Sequence, residues 1–211
     1  MESDVAKVLV TRERIAERVR QLAGELGRDL AKELAAHSSG KGDALSQHSQ
    51  GLDHDPEIVF IPVMTGALVF AADLVRELPI KLKLGLVAVS SYPGASVASK
   101  GVKLKSEIPR DLGGKHVVVV DDILDSGQTL AVIRDLVLEQ RPASLRICVL
   151  LRKPRDVRVV PVDVQYVGFE IPGEFVVGYG LDYDGFYRNL PEIATLSAEA
   201  IRRGTAGQQG A

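Results

Sequence analysis

Short, solidly apolar runs alternate with amphipathic stretches through the middle of this 211-residue chain. The apolar runs are EIVFIPV, KLGLVAVSSY, KHVVVVDD and SLRICVLLR, and the amphipathic stretches are GALVFAADLVREL and QTLAVIRDLVLEQR. Strands without a polar face must be covered on both sides, which is typical of a parallel sheet between two layers of helices. The alternation therefore predicts an α/β fold in which helices flank a parallel, twisted sheet.

The segments before and after this alternation indicate how the rest of the domain is organised. Residues 11–36 repeat apolar side chains at steps of three or four, which predicts a long helix. Residues 37–56 are polar and rich in Ser, Gly and His, so we expect a surface insert. Its three histidines, His37, His48 and His54, lack compact ligand spacing, so the sequence favours a solvated loop over a metal site.

The sequence predicts one domain over residues 1–196, with its core at about residues 55–152. Beyond the core, short β-like pieces are separated by Pro and Gly turns. They predict a small C-terminal β-rich hood at about residues 153–196, which the N-terminal segment completes. Residues 197–211 are expected to be a disordered tail.

Charge and cysteine content exclude several classes of protein. The formal net charge is −2, so we expect no bulk attraction to nucleic acid or to a membrane surface. No apolar stretch approaches membrane-spanning length. The single cysteine, Cys148, excludes an intramolecular disulfide and favours a reducing compartment, so the expected location is the cytoplasm.

The stretch VVVVDDILDSGQTL, residues 117–130, joins a buried strand to a cluster of acids and a polar turn. Ligands of parallel sheets bind beyond the carboxyl ends of strands, where Asp121 and Asp122 are expected to lie. The following DSGQT opens a helix, whose free backbone N–H groups and the hydroxyls of Ser126 and Thr129 form an anion cradle. A sugar phosphate suits both parts, because its phosphate fits the cradle and its hydroxyls face the acids.

Three other interpretations of this stretch fit the sequence less well. Simple helix capping by Asp125 or Ser126 accounts for only part of the acidic cluster. A receiver domain also has a strand that ends in two acids, but the phosphoacceptor aspartate that it needs on a later strand is missing from YVGFEI. A nucleotide-binding P-loop or dinucleotide fold is disfavoured because neither G-x-x-x-x-G-K-[ST] nor G-x-G-x-x-G occurs in the sequence.

VVVVDDILDSGQT resembles the phosphoribosyl-pyrophosphate (PRPP) motif of phosphoribosyltransferases. Further similarity to one branch, the hypoxanthine-guanine phosphoribosyltransferases, is found in FAADL, SSY, LLRKP and VGFEIPGEFVVGYGLDYDGFYRNLP. It extends over roughly residues 8–196 apart from the polar insert. The resemblance implies the type I phosphoribosyltransferase fold, a Mg²⁺ cofactor and two small-molecule substrates, PRPP and a 6-oxopurine. It also implies a homodimer or homotetramer.

The resemblance further implies roles for individual residues. Asp125 is the catalytic base near purine N7, and Lys153, Phe175 and Val176 recognise the base. Metal ligands are expected to be Asp121, Asp122 and Asp182, the last of which also lies at the purine site. Contacts to PRPP are implied for Asp121, Asp122, Ser126, Gly127, Gln128, Thr129, Thr65, Gly66, Arg188, Ser91 and Tyr92.

One position departs from the family pattern. Relatives usually have a basic residue before the glycine of the pyrophosphate loop, where this chain has Thr65 in VMTGA. The resemblance implies a cis peptide bond between Met64 and Thr65. Backbone N–H groups can bind pyrophosphate without the missing charge, so Thr65 still suits the loop if the backbone does the binding. A PRPP-binding regulator without turnover is the alternative function.

Overall fold

A computed structural model describes residues 1–39, 58–90, 103–104, 106–154, 156 and 159–207 of the chain. The main sheet contains β2 (Ile58–Met64), β3 (Lys83–Leu84), β4 (Val87–Ser90), β5 (Lys103–Leu104), β6 (His116–Leu124), β7 (Ser144–Arg152) and β8 (Tyr166–Glu170). Its strand order is β5-β4-β2-β6-β7-β8, and β3 pairs with β2 beside β4. All of these pairings are parallel except that of β4 with β5, which confirms the predicted fold class.

The strand predicted from KLGLVAVSSY is interrupted in the structure. Lys83 in β3 pairs with Val59 at the start of β2, and Val87 in β4 pairs with Val63 near its end. Between the two short strands, the backbone N–H of Gly85 donates to the carbonyl of Phe60 at 2.8 Å. The sequence pattern therefore found strand structure in this segment but did not indicate the break.

In the described part of the chain, four α-helices accompany the two sheets: α1 (Arg12–Ser39), α2 (Leu68–Arg76), α3 (Gln128–Glu139) and α4 (Ala198–Gly207). Helices α1 and α2 pack on one face of the main sheet, in a core that includes Val118 and Val120 of β6. Helix α3 packs on the other face, in a core that includes Val117 and Val119. Successive side chains of a strand point to opposite faces, so the valine run of β6 belongs to both cores.

The hood is built from the two ends of the chain. Strand β1 (Val5–Val10), which follows a short 3₁₀ helix (Glu2–Asp4), pairs antiparallel with β9 (Ile193–Leu196). A hydrogen bond joins the hood to α2, because the Tyr179 hydroxyl donates to the carboxylate of Asp73 at 2.6 Å. Burial and the neighbouring Asp73 carboxylate raise the pKa of Tyr179, so this hydroxyl stays a donor at neutral pH.

Three boundaries predicted from the sequence need correction. Strand β8 was assigned to the hood, but it pairs in parallel with β7 and forms an edge of the main sheet. Residues 198–207 were expected to be disordered, but they form α4, whose Ala200 is buried in the hood core. Helix α1 continues to Ser39, into the predicted insert, and residues 40–57 lie outside the described residues. No helix of the described residues is long and apolar enough to cross a membrane.

Candidate active site

A cavity of about 500 Å³ opens at the carboxyl ends of β2, β4 and β6. Its lining comes from the loop after β2, the end of β4, the end of β6 with the turn that follows it, and two hood residues. The lining residues are Val63, Met64, Thr65, Gly66, Val89, Asp121, Asp122, Ile123, Leu124, Asp125, Ser126, Gly127, Thr129, Leu130, Asp182 and Arg188. Four of these side chains are carboxylates and one is a guanidinium, so this cavity suits a ligand that brings cations or hydroxyl donors.

Asp121 and Asp122 form an acid pair at the end of β6. Asp121 is buried, and its carboxylate accepts a hydrogen bond from the backbone N–H of Asp122 at 3.0 Å. Burial raises the pKa of Asp121 well above its ordinary value, and the charge of Asp122 raises it further. Burial also raises the pKa of Asp122, although hydrogen bonds and the charge of Arg188 oppose that rise. Two desolvated carboxylates side by side are stabilised by a bound cation.

The loop after β2 lies directly against this pair. The peptide bond between Met64 and Thr65 is cis, as the sequence resemblance implied. A Cβ atom at Gly66 would lie 1.7 Å from a carboxylate oxygen of Asp122. Glycine is therefore required here, because any side chain would displace the carboxylate that the loop approaches.

The turn between β6 and α3 has the geometry of an anion cradle. Gly127 is the N-cap of α3 with φ of 83°, and a Cβ atom there would lie 2.2 Å from the carbonyl oxygen of Val160. The Ser126 carbonyl accepts from the backbone N–H groups of Val159 and Val160 at 3.0 Å, which fixes the turn from outside. The N-cap Gly127 has no side chain to cap α3, and the Ser126 hydroxyl accepts from the backbone N–H of Gln128 only at 3.4 Å. An anion at this turn can therefore bind to the N–H groups of the first helical turn together with that hydroxyl.

Two hood residues, Asp182 and Arg188, complete the cavity. The Arg188 guanidinium donates to Asp182 at 2.7 Å and to the carbonyl of Gly180 at 2.6 Å. Asp182 also accepts from the backbone N–H of Gly185 at 2.7 Å. Both side chains are held in place before any ligand binds, so the guanidinium presents a fixed positive charge to the cavity.

Lys153 follows β7 and reaches the rim of the cavity. It is only 8% exposed, and its ammonium group lies 3.0 Å from a carboxylate oxygen of Asp125. Asp125 itself is more than half exposed. The pair therefore places a donor and an acceptor side by side, one of them largely withdrawn from water.

Phe175 and Val176 lie in the hood segment that precedes Asp182. Phe175 is 54% exposed, whereas Val176 is buried in the core beneath it. The Phe175 ring meets the ring of Tyr183 edge to face, with centroids 5.7 Å apart and an interplanar angle of 80°. Phe175 thus offers an open aromatic face in the neighbourhood of Asp182.

The structure brings most of the predicted site residues together. The cavity is lined by Asp121, Asp122, Asp125, Ser126, Gly127, Thr129, Thr65, Gly66, Asp182 and Arg188. Four predicted residues are not part of this lining: Gln128, which is exposed at the start of α3, Lys153, Phe175 and Val176. Ser91 and Tyr92 lie outside the described residues. Six lining residues were not predicted: Val63, Met64, Val89, Ile123, Leu124 and Leu130. All but Leu130 lie at the carboxyl ends of strands, and that position was the signal for them.

Comparisons with known proteins agree with this arrangement. Residues 31–184 match the family described as "Phosphoribosyl transferase domain". A hypoxanthine-guanine phosphoribosyltransferase of Mycobacterium avium is 41% identical over 201 residues, which span 95% of this chain and 90% of the relative. The enzyme of that name from Streptococcus pneumoniae is 37% identical over 94% of this chain and 97% of its own length.

A solved structure is also similar over nearly the whole chain. It is a variant of the hypoxanthine phosphoribosyltransferase of Trypanosoma cruzi, complexed with the product IMP. The superposition has a TM-score of 0.78 at 34% sequence identity, and it covers 97% of this chain and 91% of the other.

Proposed function

The chain belongs to the family of hypoxanthine-guanine phosphoribosyltransferases, and we propose that it transfers the phosphoribosyl group of PRPP to N9 of a 6-oxopurine. The products are IMP or GMP and pyrophosphate, and the reaction belongs to purine salvage. The observation that supports this most directly is the meeting of an acid pair and an anion cradle in one cavity.

PRPP has two anionic ends, and the cavity has a suitable group for each. Its 5′-phosphate fits the turn of residues 125–129, where the N-terminus of α3 offers backbone N–H groups and Ser126 and Thr129 offer hydroxyls. Its pyrophosphate fits the opposite wall, formed by the Thr65 and Gly66 backbone and Arg188. The ribose hydroxyls then face Asp121 and Asp122.

The residues present also suit Mg²⁺. This ion prefers oxygen ligands and is usually held by one or two carboxylates together with substrate phosphates and water. Asp121 and Asp122 provide desolvated carboxylates whose raised pKa values favour a nearby cation, and Asp182 lines the same cavity. Among the described residues no three His, Cys, Asp or Glu side chains form a metal cluster, and the proposal assigns the remaining ligands to substrate oxygens and water. When bound, the ion neutralises charge on the leaving pyrophosphate.

Lys153 and Asp125 match the edge of a 6-oxopurine. That edge presents the O6 acceptor and N7 side by side. An ammonium group and a carboxylate oxygen 3.0 Å apart have the complementary order, with the lysine donating to O6 and the aspartate accepting from N7–H. Adenine has an amino group in place of O6, which would leave the charge of Lys153 buried and poorly paired. The pair thus accounts for base choice.

The chemical step follows from these positions. As purine N9 bonds to the anomeric carbon, the bond from that carbon to pyrophosphate breaks and Asp125 takes the N7 proton. Negative charge develops on the departing pyrophosphate, where Arg188 and the N–H groups of the loop at Thr65 and Gly66 stabilise it. Phe175 stacks on the base through its open face, and the buried Val176 fixes the backbone that reads the purine edge.

A turnover panel tests the proposal. Purified protein is mixed with PRPP, Mg²⁺ and one of hypoxanthine, guanine, xanthine or adenine, and nucleotide formation is followed. We expect turnover of at least one 6-oxopurine, little with adenine, and loss of activity with excess chelator. Tight PRPP binding without any turnover would instead support the regulator, which the retained Asp125 and Lys153 pair disfavours.

The cellular setting is part of the same proposal. We infer that the protein acts in the cytoplasm as a homodimer or homotetramer, without nucleic-acid or membrane partners. The near-neutral net charge of −2 supports the absence of a nucleic-acid partner. Sedimentation or light scattering measures the assembly state directly.

A further inference from the structure

Residues 182–188 form a compact turn whose two sides face different parts of the molecule. Tyr183 and Phe186 exchange backbone hydrogen bonds at 3.1 and 3.0 Å, which closes the turn. The residues at its base, Asp182 and Arg188, line the cavity of the proposed active site. We call this segment the 182–188 turn.

The other side of the 182–188 turn is held by both ends of the chain. The Tyr183 hydroxyl donates to the carbonyl of Ile201 in α4 at 3.2 Å. The Tyr187 hydroxyl lies 3.3 Å from Asp4, whose other carboxylate oxygen forms an ion pair with Arg203 of α4 at 2.6 Å. The turn is therefore fixed from outside by α4 and by the segment before β1.

Tyr183 contacts both α4 and Phe175, the residue proposed to stack on the purine. Its half-buried ring forms a T-shaped pair with the ring of Phe175. The ring centroids are 5.7 Å apart and the interplanar angle is 80°, which is a favourable geometry for an aromatic pair. Phe175 is otherwise open to solvent on more than half of its surface. An exposed ring with two free torsions needs a neighbour to hold one orientation, and Tyr183 is in contact with it.

We propose that Tyr183 is a positioning residue that orients Phe175 for stacking on the purine and anchors it to α4. This proposal rests on the proposed function, because it assumes that Phe175 contacts the base. The acid pair and the anion cradle, which the proposal assigns to PRPP, lie at β6 and the start of α3 and not on the 182–188 turn. Loss of the Tyr183 ring should therefore weaken purine binding and leave PRPP binding almost unchanged.

The variant Tyr183→Leu tests this through separate kinetic constants. We expect the KM for hypoxanthine to rise about three- to ten-fold, the range set by the loss of one aromatic pair. We expect kcat and the KM for PRPP to stay within about two-fold of the wild type. Tyr183→Phe keeps the ring and loses only the bond to Ile201, so its purine KM should rise less than three-fold.

Two comparisons separate positioning from general damage to the turn. Phe186→Leu removes an exposed aromatic ring from the same turn and should leave all three constants unchanged. In a background of Phe175→Leu, Tyr183→Leu should add less than about two-fold to the purine KM, because its effect passes through the missing ring. Equal, additive effects in the two backgrounds, or a loss confined to kcat, would overturn the proposal.

Product binding provides a readout that does not depend on turnover. Calorimetry with IMP should show the same three- to ten-fold weakening in Tyr183→Leu and none in Phe186→Leu. If the wild type binds IMP but makes no nucleotide, the proposed function fails while the role of Tyr183 is still measured. If Tyr183→Leu does not fold, Tyr183→Met, which also lacks the ring but fills more of its volume, replaces it in both backgrounds, and additivity there refutes the coupling.

Discussion

Asp125 and Lys153 show how one pair of side chains can serve both chemistry and recognition. Their separation of 3.0 Å leaves each charge compensated before substrate arrives. A purine whose edge lies against both groups must offer a donor to the carboxylate and an acceptor to the ammonium. Three residue-scale predictions follow from the pair and from the neighbouring loop.

Asp125→Asn should lower kcat on the order of 10²–10⁴-fold, because an amide keeps the shape of the carboxylate but cannot accept the N7 proton. The KM for PRPP should stay within about three-fold, since the phosphate contacts of the turn are backbone groups and hydroxyls. Steady-state kinetics with hypoxanthine measures both constants. Asp135→Asn, an exposed change on α3, is the control, and a near-normal kcat for Asp125→Asn would assign the base elsewhere.

Lys153→Gln should weaken binding of hypoxanthine and narrow its advantage over adenine. A charge-assisted hydrogen bond becomes a neutral one, which costs roughly 1–2 kcal/mol and raises KM about 5- to 30-fold. The glutamine carbonyl can also accept from the adenine amino group, which the ammonium cannot do. The ratio of kcat/KM for the two bases is the measurement. Unchanged hypoxanthine kinetics with adenine still refused would show that the backbone near Val176 selects the base.

Thr65→Lys should restore a charge that relatives of this chain usually have in the pyrophosphate loop. Thr65 is exposed, so the gain is that of a solvent-screened ion pair, about 0.2–1 kcal/mol or up to about five-fold in the inhibition constant of pyrophosphate. Thr65→Val is the matched control and should change that constant less than two-fold if, as proposed, backbone N–H groups bind the pyrophosphate. A large loss in Thr65→Val would mean that the hydroxyl itself binds pyrophosphate.

At the scale of elements, helix α1 is attached to the sheet by polar contacts as well as by its apolar face. Glu33 of α1 accepts from Ser144 at 3.0 Å and from Arg146 at 2.5 Å, and His116 lies 3.1 Å from the same oxygen. Burial alone would raise the pKa of Glu33, but the bonds from Arg146 and Ser144 outweigh it and lower the pKa below its ordinary value. The ionised form is therefore the one that joins α1 to β6 and β7.

Glu33→Gln should lower the free energy of unfolding by about 1–2 kcal/mol at neutral pH. Because the pKa of Glu33 is lower in the folded chain than in the unfolded chain, this contribution is complete above the unfolded value of about 4.3. It is lost as the pH falls further, through the folded pKa. Urea unfolding of both proteins between pH 7 and pH 3 measures the difference. A difference that stays constant to pH 3 would contradict the assignment, and exposed Glu139→Gln should show none.

Periodicity alone was sufficient for the elements whose partners lie close in sequence. The apolar run of β7 was located at its observed bounds, and α3 began at Gln128 as its turn residues indicated. Periodicity did not predict the elements whose structure depends on packing or pairing with residues distant in the sequence. Strand β8 is short and mixed in polarity, and only its pairing with β7 makes it a strand of the main sheet. Helix α4 was missed because its few apolar residues gain their burial from Tyr183 and β1, which no local pattern reveals.

At the scale of the molecule, the same distinction separates the two halves of the site. The motif of residues 117–130 is contiguous, so sequence reasoning could find the acid pair, the cradle and Asp125 together. Arg188 and Asp182 come from the hood, and their meeting with Gly66 depends on folding of the whole chain. Their prediction rested on resemblance, because neither residue is distinguished by its local pattern.

Strand β6 is central in the sheet and has valines in both cores. Its backbone pairs with β2 on one side and β7 on the other. We expect the amide protons of Val118 and Val120 to exchange with deuterium only through global unfolding, at the free energy that urea denaturation gives. Those of the 182–188 turn should exchange through smaller openings. Much faster exchange at Val118 would contradict this description of the core.

The hood contrasts with this strand, since part of it packs around a separate small cluster whose buried members, among the described residues, are Val177, Leu190, Leu196 and Ala200. The site therefore combines β6, which we expect to open only through global unfolding, with the 182–188 turn, which we expect to open more easily. Mild heating or low urea should therefore weaken the binding of the two substrates at different points. Binding of the purine and of the pyrophosphate group should weaken first, while the ribose 5-phosphate end of PRPP stays bound. The protein would then lose stacking on the purine before it loses the sugar phosphate, so we expect its activity to decline at temperatures below its melting temperature.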